Sequence, residues 1–290
     1  MIPISINIVK AAIAKNSKAL KNYTDSIRDA LTVLEGDPLL DNDQKRYISA
    51  ILSKCSNLLT ATPDTLRRYK NNFDTIIHPD DIAHSDNKDF RQNILTALGY
   101  EKRRKDFYPE YFSMLGIKAC VYCNSQLAVT VKKAKGKPKA KFQVDHYIPK
   151  NKYPGLSVSL FNLYPSCASC NNVKGVKTVS FKLYEPHQLN YKSQYKFQLK
   201  PGVKSKFLSS RDINDIKFLF TEPKPRRGDD KFNDLFDIEG IYETQLDVIE
   251  ELFMKAEIYT KPYRDTLKTS FPKLLPTDQV FDRLLIGNYS

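Results

Sequence analysis

Two pairs of cysteines constrain this chain more than any other feature. Cys120-Val-Tyr-Cys123 and Cys167-Ala-Ser-Cys170 share one spacing and account for four of the five cysteines. Two thiolates at that spacing can take adjacent corners of a tetrahedron, and a second pair completes a four-cysteine Zn2+ site with Zn–S bonds of about 2.3 Å. The alternatives are two redox motifs or pairs with no shared purpose. A redox Cys-x-x-Cys belongs near a βαβ pattern, which this sequence lacks. Four thiolates leave no open coordination position, so the zinc is expected to be structural, contributing on the order of 10 kcal/mol to folding. The gap between the pairs exceeds that of a common zinc ribbon, so further structure must be inserted between the two knuckles.

Metal binding by clustered cysteines suits a reducing compartment, where disulfides are rare. The opening MIPISINIVKAAIA faintly resembles the apolar part of a signal peptide. No basic residue precedes the run, and Pro3, Ser5 and Asn7 interrupt it. No stretch approaches the ~18 apolar residues of a membrane span. The expectation is therefore a cytoplasmic protein with no membrane partner. The chain ends at LLIGNYS without a terminal cap, which leaves a longer native protein open.

The 290 residues divide by character into three parts. Residues 1–106 read as helical. In DQKRYISAILSKCSNLL, Tyr47, Ile48, Ile51, Leu52, Cys55, Leu58 and Leu59 recur at three- and four-residue intervals, which predicts one helix with one buried face. Asp41 or Asn42 could cap it and Pro63 lies beyond its end. Cys55 falls on that stripe and reads as a core residue. His78 and His84 sit in a polar loop, HPDDIAHSD, which fits a solvated turn better than a metal site. Residues 107–185 bring the cysteines, short strand-like runs (QLAVTV, KFQV) and a lysine-rich turn, KKAKGKPKAK. Gly136 and Pro138 make that turn an exposed hairpin tip. Residues 186–290 are mixed: a strand-like YKFQLK, a polar PKPRRGDDK, and a helix LDVIEELFMKAEIY with Leu246, Ile249, Leu252, Phe253 and Ile258 on one side. No internal repeat and no low-complexity linker is present. His187, just past the middle part, reads as a structural or surface histidine.

Between and after the knuckles stand CVYC, VDHYIPK, FNLYPSCASC and NNVKG, in that order. This pattern resembles the HNH endonuclease superfamily over roughly residues 117–176, about a fifth of the chain. The resemblance implies an α+β fold, with a ββα-metal core stapled by zinc on Cys120, Cys123, Cys167 and Cys170. That core would lie between the helical N-terminal region and the mixed C-terminal one. It also implies roles. His146 would be the general base, since a neutral imidazole can take a proton from water near neutral pH. Asp145 and Asn171 would hold a catalytic Mg2+ or Mn2+ as hard oxygen ligands. Asn162 would brace the loop that aims His146, and Lys174 would contact phosphate. The third signature position is Asn171 and not histidine, and Asn172 beside it remains the alternative ligand.

A net charge of +13 favours a polyanionic partner. Lys132, Lys133, Lys135, Lys137, Lys139 and Lys141 lie on the hairpin before the Asp-His pair and would deliver nucleic acid to it. Tyr147 and Tyr153 could stack on substrate or pack inside. The leading expectation is a metal-dependent endonuclease cutting DNA, with RNA as the other substrate. No base-reading motif is evident, so cleavage would be weakly specific or directed by a partner. The contrasting class is a non-catalytic zinc-finger binder of nucleic acid, which would need none of Asp145, His146 and Asn171. Family analogy further suggests the nuclease of a bacterial anti-phage defence system of the Septu type, paired with an ATPase or another subunit. Restriction of modified DNA, a mobile-element nuclease and a toxin are the alternatives.

Overall fold

Helices build the first hundred residues because apolar side chains recur there at helical spacing. The computed structural model describes residues 4–132, 136, 138–185, 193–275, 277 and 281. A short strand β1 (Ile4–Ser5) leads into α1 (Ile6–Lys15) and the long α2 (Ser17–Glu35), whose buried stripe is Leu20, Tyr23, Ile27 and Leu31. Helix α3 (Asn42–Leu52) starts on a reciprocal cap: Asp41 Oδ1 accepts from Gln44 N at 2.8 Å, and Gln44 Oε1 accepts from Asp41 N at 3.3 Å. The single helix expected through residue 59 is instead broken into α3 and a one-turn α4 (Cys55–Leu58). At the break Lys54 N bonds the Ile51 carbonyl, an i→i−3 closure that ends the α-helical ladder. The stripe survives the break, with Tyr47, Ile48, Ile51, Cys55, Leu58 and Leu59 buried and Leu52 only partly so.

Helices α5 (Pro63–Asp74), α6 (Pro79–Ala83), α7 (Lys88–Ala97), α8 (Tyr100–Asp106) and α9 (Tyr108–Met114) follow. His78 and His84 are exposed caps whose Nδ1 atoms accept from Asp80 N and Asp86 N.

The segment between and around the cysteine pairs carries two antiparallel two-stranded sheets. Strands β2 (Val129–Val131) and β3 (Lys139–Lys141) form the basic hairpin, with Val131 opposite Lys139. Strands β4 (Gln143–His146) and β5 (Leu163–Ser166) pair with Asp145 opposite Tyr164 and His146 opposite Leu163. Helix α10 (Ala168–Lys174) follows directly. Strand β6 (Tyr184–Glu185) then runs parallel to β1. The fold class is α+β, with the helical region preceding a ββα arrangement of β4, β5 and α10.

The chain divides into two units. One comprises residues 1–193 and 224–236, the other residues 194–223 and 237–290. In the second unit β7 (Lys196–Leu199) and β8 (Phe218–Thr221) form an antiparallel pair around α11 (Val203–Ser210). The polar stretch PKPRRGDDK returns to the first unit, where Asp230 N bonds Thr178 O, Ser180 Oγ bonds Asp229, and α12 (Phe232–Phe236) follows. Helices α13 (Ile238–Glu243), α14 (Leu246–Ile258) and α15 (Lys261–Ser270) belong to the second unit. Its small core is Phe207, Ile216 and Phe253, with Leu246 and Ile249 packed against it. Leu252 and Ile258, expected on the same side of that helix, are exposed.

The long loop from Tyr147 to Phe161 is what places the ββα site on the helices. Leu160 N bonds Leu59 O, Ser159 Oγ bonds Leu58 O, and Tyr153 Oη donates to Asp74. At the closest approach a methyl group on Gly155 would lie 2.9 Å from Ile51 Cγ1 and 3.3 Å from Phe73 Cζ. Gly155 is thus the gap through which loop and helices close, and overpacking a well-filled core costs about 1–3 kcal/mol. Gly155→Ala is expected to lower stability to urea by that amount; an unchanged midpoint would show that the loop is not packed this way.

Candidate active site

Strand alternation sets the site. Successive side chains on β4 point to opposite faces, so Gln143 and Asp145 share one face and His146 takes the other. On α10, Asn171 and Lys174 are three residues apart and share a helix face. The two faces meet: Asn171 Nδ2 donates to Gln143 Oε1 at 2.6 Å, and Lys174 Nζ lies 3.0 Å from Asp145 Oδ2 and 3.3 Å from Oδ1. Asn171 is half-buried on this face and Asn172 is exposed.

Asp145 is 5% exposed, so its charge needs partners inside the protein. Lys174 provides one, and its ammonium also donates to the His146 carbonyl at 2.9 Å. Tyr122, within the first cysteine pair, provides another through Oη to Asp145 Oδ2 at 2.5 Å. Lys174 was expected to meet phosphate; it is instead wholly buried, its burial pulling the ammonium pKa down while Asp145 opposes the change. The reason is spacing: one turn after Asn171, a lysine on α10 faces the strand and not solvent.

His146 is buried, and its Nε2 lies 3.0 Å from the Ser157 carbonyl oxygen. A carbonyl only accepts, so Nε2 carries the proton and Nδ1 is the basic nitrogen. Burial, then the positive charge of Lys150, pushes the imidazole pKa down to about 3, with Lys174 and Arg104 adding to the effect and the Ser157 bond opposing it. The ring is therefore neutral at physiological pH. Asn162, fully buried, ties the loop on which Ser157 rides: its Oδ1 accepts from Ile148 N at 2.7 Å, and its Nδ2 donates to the Ile148 and Leu156 carbonyls, each at 3.1 Å.

The four sulfur atoms of Cys120, Cys123, Cys167 and Cys170 all lie within 4.8 Å of one another, and all four residues are buried. Neutral thiols gain little from such crowding and thiolates repel, whereas a tetrahedral cation turns the same arrangement into an attraction. The hydrogen bond with Cys123, helped by burial and opposed by Cys170, pushes the Cys120 thiol up to about 12, while hydrogen bonds with Cys120 and Cys170 hold Cys123 down to about 2. The donor set fits a soft, four-coordinate ion. Cys55 lies apart from it in the helical core.

Several functional neighbours were not legible in advance. Tyr100 of α8 lies 4.9 Å from the His146 ring, and Lys150 Nζ sits 4.8 Å from the centre of the Tyr100 ring. Arg104, also on α8, is paired with Glu101 at 3.8 Å. A lysine four residues after the Asp-His pair was the one available signal. Among the hairpin lysines, Lys132, Lys139 and Lys141 are exposed; Lys133, Lys135, Lys137 and also His187 lie outside the described residues. Tyr147 and Tyr153 both pack inside, Tyr147 stacked on Tyr164 at 5.0 Å.

Removing one partner of a buried ion pair leaves the other charge stranded, at a cost of about 3–5 kcal/mol. Lys174→Met is expected to lower stability by that amount in calorimetry, and adding Asp145→Asn to it should restore most of the loss. A single variant as stable as the native protein would contradict the pairing.

Comparison with known proteins agrees with this geometry. The family described as HNH endonuclease matches residues 120–177. The Septu protein PtuB of Bacillus thuringiensis is 41% identical over 56 residues, a stretch covering 19% of this chain and 19% of that protein. The match thus spans about a fifth of the relative's length. No solved structure matches. No helix among the described residues is long and apolar enough to cross a membrane. Strand, helix and four-cysteine cluster thus coincide with residues 120–177, the segment that matches the HNH endonuclease family.

Proposed function

We propose that this chain is a metal-dependent endonuclease that hydrolyses phosphodiester bonds in DNA, with His146 as general base. The observation that carries the reading is the buried His146 ring, anchored at Nε2 by the Ser157 carbonyl, beside a buried carboxylate on the neighbouring residue. His146 Nδ1 takes a proton from water as the water oxygen bonds to phosphorus; the bond from phosphorus to the 3′ oxygen breaks and that oxygen departs. An approaching phosphate brings negative charge next to the imidazole, which raises its basicity from the low value of the free site. Asn162 keeps the ring aimed by holding the loop that carries Ser157.

Asp145 and Asn171 are the residues that would hold a single Mg2+ or Mn2+. A carboxylate has about four lone-pair positions, and Tyr122 and Lys174 do not fill them all. Asn171 spends its amide nitrogen on Gln143 and keeps its oxygen. When bound, such an ion offers positive charge to the phosphate and to the departing oxygen. The four cysteines would hold a structural Zn2+. Lys132, Lys139 and Lys141 on the hairpin, with Lys150 and Arg104 beside His146, would bring in the polyanion.

The likeness to PtuB, limited to the nuclease segment, supports a role as the nuclease of an anti-phage defence system in the cytoplasm, acting with an ATPase or other partner subunit. Loss of phage protection on His146→Ala, in cells that the native gene protects, tests that role.

The chemistry is tested by plasmid cleavage with Mg2+ or Mn2+. The native protein should cut, EDTA should stop it, and His146→Ala should retain one zinc per chain without cutting. Equal cutting by both proteins would sink the assignment; a native protein that binds DNA but never cuts, alone or with its partner, would favour a pure binding role. On duplex DNA each phosphate contact contributes about −0.9 to the log–log salt slope. Lys139→Ala and Lys141→Ala together should make the slope shallower by about twice that, and an unaltered slope would remove the hairpin from the interface.

A further inference from the structure

The tyrosine inside the first cysteine pair has a place that a zinc knuckle alone does not require. Tyr122 is fully buried, and its ring stacks on Phe236 with centroids 4.6 Å apart and planes 18° apart. Phe181 and Phe232 add edge-on and tilted contacts at 6.2 and 6.4 Å. The backbone on either side is fixed as well. Cys120 N bonds Gln126 O, Asn124 N bonds Cys120 O, and Val121 N bonds Pro165 O on β5. The one polar atom of this immobilised side chain is spent on Asp145 Oδ2.

A carboxylate on a strand can turn about its own bonds, and a hydrogen bond from a fixed donor stops that rotation. We propose that Tyr122 is a positioning residue: it transmits the geometry of the cysteine cluster to Asp145, so that the structural metal site sets the orientation of the carboxylate for a divalent ion. The inference rests on Asp145 being a ligand of that ion. Lys174, four residues after Cys170, grips the same carboxylate from the second pair. Asp145 is therefore held from both knuckles, by the phenol from one and the ammonium from the other. The cysteines and the divalent-ion site form one mechanical unit, and disturbing the cluster should weaken divalent-ion binding before the domain unfolds.

The test is titration of Mn2+ into the full-length protein, with free Mn2+ read by electron paramagnetic resonance and zinc content and thermal stability measured alongside. Tyr122→Phe keeps the ring and its stack but removes the donor. Tyr23→Phe is the control, because it loses a comparable buried bond, to the Leu98 carbonyl, far from Asp145 in sequence and in the helical region. Loss of a partner that orients a metal ligand weakens affinity by about 10–100-fold. Tyr122→Phe should therefore bind Mn2+ at least about tenfold more weakly with its zinc intact, while Tyr23→Phe binds like the native protein. Equal Mn2+ affinity in Tyr122→Phe and native protein would overturn the inference, as would equal weakening in both tyrosine variants. Asp145→Asn separates the two levels. If it binds Mn2+ as the native protein does, the ligand assignment itself fails. If it loses binding while Tyr122→Phe does not, only the positioning role fails.

Discussion

Two four-residue strands and a two-turn helix cannot hold themselves together. They bury too little apolar surface, and a two-stranded sheet is marginal in water. The clustering of four buried sulfur atoms within 4.8 Å is therefore the constraint on which the ββα arrangement depends. One pair precedes β4 and the other joins β5 to α10, so an ion held by the four sulfur atoms would fix both ends of the motif at once. Asp145, His146, Asn162, Asn171 and Lys174 all lie between those two ends or one helical turn beyond them, and α8 adds Tyr100 and Arg104 from outside.

Adjacent residues on one strand end up with opposite electrostatic environments. Asp145 faces α10, where an ammonium and a phenol compensate its charge. His146 faces the loop, where it meets one backbone carbonyl, an aromatic ring and several cations at longer range, and it is held neutral. A dipeptide thus supplies an anion and an uncharged base within one residue step, because the pleat sends them to different sides. Neither environment is local in sequence: Lys174, Tyr122, Tyr100 and Ser157 come from four different segments.

That distribution explains what could be read in the sequence. The cysteine spacing, the Asp-His pair and the helical stripe through Tyr47 and Leu58 are short-range patterns, and each was visible directly. The burial of Lys174 was not, because a lysine reads as a surface residue unless its helix face is known; its three-residue offset from Asn171 carried that information. Nothing in CVYC reveals the stack of Tyr122 on Phe236, which comes much later in the chain. The break between α3 and α4 leaves the apolar periodicity intact, so periodicity could not show it. PKPRRGDDK reads as a plain polar loop, and only the bonds to Thr178 and Ser180 reveal that it returns to the first unit.

That return has a consequence for how the protein is made. The ring that stacks on Tyr122 belongs to Phe236, beyond the whole of the excursion 194–223 into the second unit. During synthesis the cysteine pairs and the Asp-His pair leave the ribosome long before their aromatic backing does. Until α12 arrives, Tyr122 has Phe181 and Tyr164 beside it but not the ring that stacks on it, and the site can assemble only in part. A chain whose last structural layer is translated late carries a delay in its own order, and a message cut short before residue 236 yields a product without that layer.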